Sequence, residues 1–163
     1  QVLINKGTHH QFAAVMRQQV GELTLVIEPT GGTTDRIESI SAVLSGIAGS
    51  LDLGSDAHGA PSEVALAFTK ISSGENAGKW QATVRLLGIA EGQQLLAGVI
   101  RFTDGTLGDI PLESDLTLAL SGFNADKKTP LLLGGQAVTT PTGAGFSCTI
   151  TDWEKVSGSG TAN

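Results

Sequence analysis

The chain is short of cysteine, tyrosine and clustered positive charge, and each shortage removes a class of explanation. It has one cysteine, Cys148, among 163 residues. A lone thiol forms no internal disulfide, so the fold rests on its core rather than on covalent staples, and the redox compartment stays open. Lys and Arg number 10 against 16 Asp and Glu, a net charge of −6, and no basic run exceeds Lys127-Lys128. Polyanionic backbones need clustered cations, so nucleic-acid binding is disfavoured, as is an anionic lipid surface. No apolar run approaches the ~20 residues of a membrane-spanning helix. Aromatics are limited to two Trp and five Phe, with no Tyr, which leaves few residues for a sugar-stacking platform.

What is present is a pattern of short strands. With 40% hydrophobic residues and 22 Gly, the chain has enough apolar matter for a core. A domain of this length buries roughly 70% of its unfolded surface. Residues 1–16 read as a lead-in or linker remnant, with apolar patches at Val2-Leu-Ile4 and Phe12–Met16, and residues 17–163 as a single domain. Glu22 to Glu28 alternates, pointing Leu23, Leu25 and Ile27 inward, and Pro29-Thr-Gly-Gly32 ends the run. Strands are also expected over Arg36–Leu44, Glu63–Phe68, Lys79–Gly88, Gln94–Phe102, Leu131–Val138 and Phe146–Trp153, with a marginal one at Gly49–Gly54. Asp104-Gly105 is a two-residue hairpin signal. Ser114 or Asp115 caps a short helix or a turn-rich loop over Leu116–Leu120, which Gly122 ends. The expectation is an all-β, antiparallel sandwich of about seven strands with at most one short helix.

Candidate chemistry is sparse. Asp52, Asp56 and His58 form the one metal-like spacing, but a calcium loop needs denser oxygen ligands and a terminal bidentate acid, and zinc needs more His or Cys. The cluster reads as a solvated turn and His9-His10 as an exposed polar pair, so no metal and no cofactor are expected. Glu113 and Asp115 suit a helix start better than acid–base work at a sugar bond. Thr30–Thr33, Ser45-Gly46 and Gly143–Gly145 lack the frames of phosphate loops or nucleophile elbows. Phe146, Cys148 and Ile150 share one face, making Cys148 a small buried hydrophobe. Trp80, Phe68 and Phe146 fall on inward faces. Trp153 ends its strand on the opposite parity and is the one aromatic expected to reach the surface as a contact residue.

The ordered set Asp104-Gly105, Asp115-Leu116…Leu120…Phe123-Asn124, Leu131–Leu133 and Thr149-Ile-Thr-Asp-Trp153…Val156 resembles the C-terminal domain of the fimbrial anchor family of type V pili, the protease-matured surface pili of certain Gram-negative anaerobes. Upstream, Arg17 to Ile27 and Val43-Leu-Ser-Gly-Ile-Ala48 are similar to the segments that open that domain. The resemblance runs from about residue 15 to the C-terminus.

It implies a transthyretin-like sandwich at the outer membrane surface, acting as a non-enzymatic subunit in pilus anchoring or assembly. A lipoprotein signal and a first β domain would lie upstream of Gln1, so membrane contact would come only through a lipid anchor outside this chain. Partners would be other pilus subunits, joined by strand addition or domain packing. The strand carrying Leu23, Leu25 and Ile27 is the expected assembly edge. The rival expectation is a glycan- or ligand-binding surface module, signalled by Trp153 exposed beside polar groups.

Overall fold

Alternating side chains build most of the strands. In the first, β1 (Gly21–Pro29), Leu23, Leu25 and Ile27 are wholly buried, because every second residue of a pleated strand faces the same side. The computed structural model describes residues 6–29, 34–103, 108–142 and 145–156. The Val2–Ile4 patch, Thr30–Thr33, the Asp104-Gly105 turn, most of the Gly143–Gly145 turn, the side chain of Phe146 and the polar tail from Ser157 lie outside the described residues. A 3-10 turn at Thr34–Arg36 leads into β2 (Ile37–Ala48). A two-residue pair, β3 (Leu51–Asp52) with β4 (Ala57–His58), interrupts the path to β5 (Pro61–Lys70). Then come β6 (Trp80–Leu86), β7 (Leu95–Phe102), β8 (Ile110–Asp115), β9 (Leu131–Thr142) and β10 (Gly145–Lys155).

The expected antiparallel transthyretin-like sandwich of about seven strands is not what forms. Eight strands close into a mixed barrel in the order β1-β6-β5-β2-β7-β8-β10-β9. Two of its joints are parallel, β1 with β9 and β8 with β10. The cause is where the last hairpin goes. Strands β9 and β10 pair with each other as an antiparallel hairpin, and this hairpin wedges between β8 and β1, with β9 running alongside β1. Leu23 of β1 stands opposite Leu131 of β9, a pairing across more than a hundred residues that no local pattern announces. Inward–outward alternation is the same in a sandwich and in a barrel, so it did not separate them.

The ring closes unevenly. Along β1 and β6 seven residue pairs face each other, from Gly21↔Leu86 to Ile27↔Trp80. Between β5 and β6 only Thr69↔Gln81 and Lys70↔Trp80 are paired. Beyond that short ladder the two strands share no further pairs, and Val64 and Val84, packed against the core, are half-buried.

Strand directions bring the lead-in, the β2–β5 connection, the β6–β7 connection and residues 116–130 to one end of the barrel. Of the two expectations for Leu116–Leu120, a short helix or a turn-rich loop, the structure shows a chain of turns. Leu120 N–H donates to Leu116 C=O at 2.9 Å and Phe123 N–H to Leu120 C=O at 2.9 Å, with no continuous helical ladder. These turns cover the barrel end with Leu116, Leu120 and Phe123, each at most 3% exposed. Burying each such side chain is worth about 1.5–3 kcal/mol. Gly21 makes room for the lid, since a Cβ there would come 2.7 Å from the Phe123 ring.

Strand β8 was not foreseen. Ile110, Leu112 and Ser114 do alternate inward, but Pro111 and the polar Ser114 disguise the pattern. Ser114 is accommodated because its hydroxyl donates to Ile150 C=O at 2.8 Å and accepts the Trp153 indole N–H at 2.7 Å.

Candidate functional site

At the lidded end, three segments with polar residues meet. The lead-in brings Arg17 and Gln18, the β3–β4 hairpin brings Asp56 and His58, and the stretch after Phe123 brings Asn124 to Lys128. Together they surround an open depression of about 490 Å³. Gln18 ties two of the segments together, its amide donating to Val20 C=O at 2.9 Å and to Lys127 C=O at 2.8 Å.

The floor is built by a glycine. Asn124 accepts the Ile89 N–H at 2.8 Å and donates to Ile89 C=O at 2.9 Å, locking the end of the lid onto the β6–β7 connection. His58 lies against the same spot. A Cβ on Gly88 would come 2.3 Å from His58 Nε2 and 2.5 Å from Asn124 Oδ1, so only glycine admits both side chains. The loop leading to His58 places Asp56 at φ 55, the one non-glycine positive φ among the described residues. Such a conformation costs free energy and needs support from its surroundings. The Arg17 guanidinium lies 3.9 Å from the Asp56 carboxylate, both side chains well exposed.

Lys127 is the central cation. Its ammonium donates to His58 Nε2 at 3.1 Å, so in this contact the imidazole nitrogen acts as acceptor. Burial lowers the Lys127 pKa, and the Asp56 charge opposes that shift. Asp126 is occupied locally. It accepts the N–H groups of Lys128 at 3.0 Å and Thr129 at 3.2 Å, and its carboxyl is held below the usual range chiefly by the Thr129 hydroxyl.

Of the residues singled out from sequence, Asp52, Asp56 and His58 do not converge. Asp52 turns away to accept the Gly54 N–H at 2.8 Å, which chiefly lowers its pKa. Among the described residues no three His, Cys, Asp or Glu side chains are placed to hold a metal ion. His10 lies near the Phe12 ring, with centroids 6.1 Å apart, and contacts the Thr8 hydroxyl. Asp115 caps the first turn of the lid by accepting the Thr117 N–H at 2.8 Å, and Glu113 is exposed on β8. Cys148 is 1% exposed and burial pushes its thiol up to about 11.

The expected assembly edge is an interior strand in this structure. β1 is hydrogen-bonded to β6 on one side and β9 on the other, with Leu23, Leu25 and Ile27 in the core. Trp153 is half-buried against the core, its indole N–H bonded to Ser114. A register shift between Thr151 and Glu154 adds a residue to β10 opposite β9, and such a bulge reverses which side the following side chains face. That is why Trp153 departs from the parity read off Phe146, Cys148 and Ile150.

Sequence reasoning missed Gly88, Asn124 as a lock, and Lys127 as a site residue. The signal present was Lys127-Lys128, the longest basic run in an acidic chain.

No family model and no curated protein matches this chain. Among solved structures it is similar to a crystal structure of a candidate adhesin from Bacteroides ovatus, at 14% identity and a TM-score of 0.46. The match covers 85% of this chain and 50% of that one, so this chain spans about half the length of that structure.

Proposed function

We propose that this domain is a non-enzymatic structural part of a cell-surface pilus at the outer membrane, serving its anchoring or assembly through contact with other subunits. One observation carries the reading. Among the described residues, β5 from Pro61 to Phe68 is hydrogen-bonded to β2 on one side, while its ladder with β6 is limited to the two pairs at Thr69 and Lys70. A strand with one unpaired side accepts an added strand, main chain to main chain, and half-buried inner residues such as Val64 and Val84 gain cover when it does. The residues behind the fimbrial resemblance support the same reading. Leu116, Leu120 and Phe123 plug the barrel end, Asp115 and Asn124 fix the turns that carry them, and Trp153 joins β10 to β8, so what they specify is a scaffold.

The test uses the full-length protein in cells that make it, with a photo-cross-linking residue at Ala65 and another at Thr24 as control. Recovery of pilin-like subunits from the Ala65 position alone is the expected outcome. Capture of glycan-processing enzymes instead, or equal yields from both positions, would overturn the assignment. A ligand-binding surface module is the second reading, and the depression around Lys127 is the observation in its favour.

A further inference from the structure

We propose that the depression around Lys127 is a binding site for a single carboxylate, the group carried by acidic saccharides and small organic acids. This inference is independent of the pilus assignment, because it rests on a different end of the molecule.

Charge is the first argument. Arg17, Lys127 and Lys128 face the depression along with two carboxylates, Asp56 and Asp126. Arg17 is matched by Asp56, and Asp126 is spent on the backbone of its own turn. With His58 neutral, one positive charge is left over in a protein whose net charge is −6. A monoanion balances that excess, whereas a doubly charged phosphate would leave the depression with one negative charge too many.

Donor geometry is the second. Lys127 points one N–H at His58 Nε2, leaving two of its three hydrogens for an incoming acceptor. The ammonium is partly desolvated, and a charged group in that condition gains most from an ionic partner. The Arg17–Asp56 pair is long at 3.9 Å and well exposed, so the guanidinium keeps further N–H donors available on the rim.

Construction is the third. The position of Lys127 follows from Gly88, which admits His58, from Asn124, which pins the lid to Ile89, and from Gln18, which grips the Lys127 carbonyl. Three separate segments are held in place around one ammonium, at the cost of a left-handed Asp56. An ammonium fixed in this way at the edge of an open depression points to binding.

The experiment is a titration of the isotopically labelled chain, following the backbone amides of Gly88, Ile89, Lys127 and Lys128. The probes are glucuronate, acetate, glucose and inorganic phosphate. Glucuronate is expected to give saturable shifts confined to these amides, in the millimolar range of a single-group contact, and glucose none. Acetate matching glucuronate would assign recognition to the carboxylate alone, while tighter glucuronate would add contacts from the sugar ring; both outcomes support the site. Lys127→Gln should weaken glucuronate by about tenfold, the scale of one charge-assisted hydrogen bond. Lys128→Gln, on the more exposed side, should weaken it several-fold with an unchanged melting temperature, which keeps the test open should the first variant fold poorly. Absence of saturable shifts with both carboxylates, phosphate bound in preference to them, or unchanged affinity in folded variants of both lysines would overturn the proposal.

Discussion

Gly46 offers a quantitative test of the packing at the lidded end. It sits where β2 shifts register between Ser45 and Ile47, with φ +75. Its carbonyl accepts the Ala90 N–H at 2.9 Å and the Gln94 side-chain amide at 3.3 Å. Replacing it with alanine has two separable costs. The left-handed backbone costs a residue with a Cβ roughly 1–2 kcal/mol. The added methyl would come 2.1 Å from the carbonyl oxygen of Gln93, a backbone atom that cannot swing aside, and forced overpacking of this kind costs about 1–3 kcal/mol. The total is roughly 2–5 kcal/mol, or a fall of about 2–4 °C in melting temperature for each kcal/mol in a chain of this size. Gly92 supplies the control. It has φ +104, and nothing lies within 4 Å of the place a Cβ would take there, so Gly92→Ala carries the backbone cost alone. Urea denaturation of the two variants, with unchanged slope, then isolates the steric part as their difference. If Gly46→Ala loses no more stability than Gly92→Ala, β2 does not approach the β6–β7 connection as closely as described.

Three further outcomes are expected. Cys148, at 1% exposure and with its thiol raised to about 11, should resist iodoacetamide at pH 8 in native protein and react fully once denatured; fast native labelling would place it outside the core. Trp153→Phe should cost about 0.5–1.5 kcal/mol through loss of the indole bond to Ser114, measured by chemical denaturation, and an unchanged midpoint would mean that bond contributes nothing. Acid should destabilise the fold in a defined window. Asp52, Asp115 and Asp126 all have folded pKa values lowered below 3.8, so their contribution is complete above the unfolded value and disappears as pH falls through the folded ones. Stability should therefore drop below about pH 4, and Asp115→Asn should lessen that slope in a pH series of unfolding midpoints. An identical slope would remove the Thr117 hydroxyl and N–H as the cause of the Asp115 shift.

Sequence reasoning reached the parts of this fold that depend on neighbours in the chain. Alternation located β1, β2, β5, β6, β7, β9 and β10, because a strand with one buried face repeats every two residues whatever it pairs with. It failed at β8, where a proline and a buried serine stand in a strand of six residues. The serine is legible only once Ile150 and Trp153 are beside it, which requires the C-terminal hairpin to be in place. Closure into a barrel failed for the same reason: Leu23↔Leu131 and Cys148↔Leu112 are parallel pairings set by tertiary packing, with no turn between them to read. The parity of Trp153 was lost to a bulge, and a one-residue shift is invisible in a pattern whose period is two. The depression around Lys127 draws on three segments far apart in sequence, so its residues looked like separate solvated turns.

The 116–130 connection joins these failures to a functional argument. Its first half is apolar and fixed: Leu116, Leu120 and Phe123 plug the barrel end, and Asn124 latches onto both polar groups of Ile89. Its second half, from Ala125 to Thr129, makes local bonds, takes one grip from Gln18 and reaches His58 through the Lys127 ammonium. Changes in the first half are felt as stability, at about 2–5 kcal/mol for a leucine cut to alanine. Changes in the second half alter which charges face the depression while leaving the lid seated. A loop so divided lets a scaffold acquire or exchange a ligand without being refolded around it, provided the latch at Asn124 holds. Asn124→Ala is the substitution that separates the two roles. It leaves both Ile89 groups without their partner and frees Lys127 from its fixed place, so it should weaken carboxylate binding at the depression while Leu116, Leu120 and Phe123 still hold the lid down. Unfolding of that variant together with loss of binding would instead make the latch part of the plug, and the division of the loop would not stand.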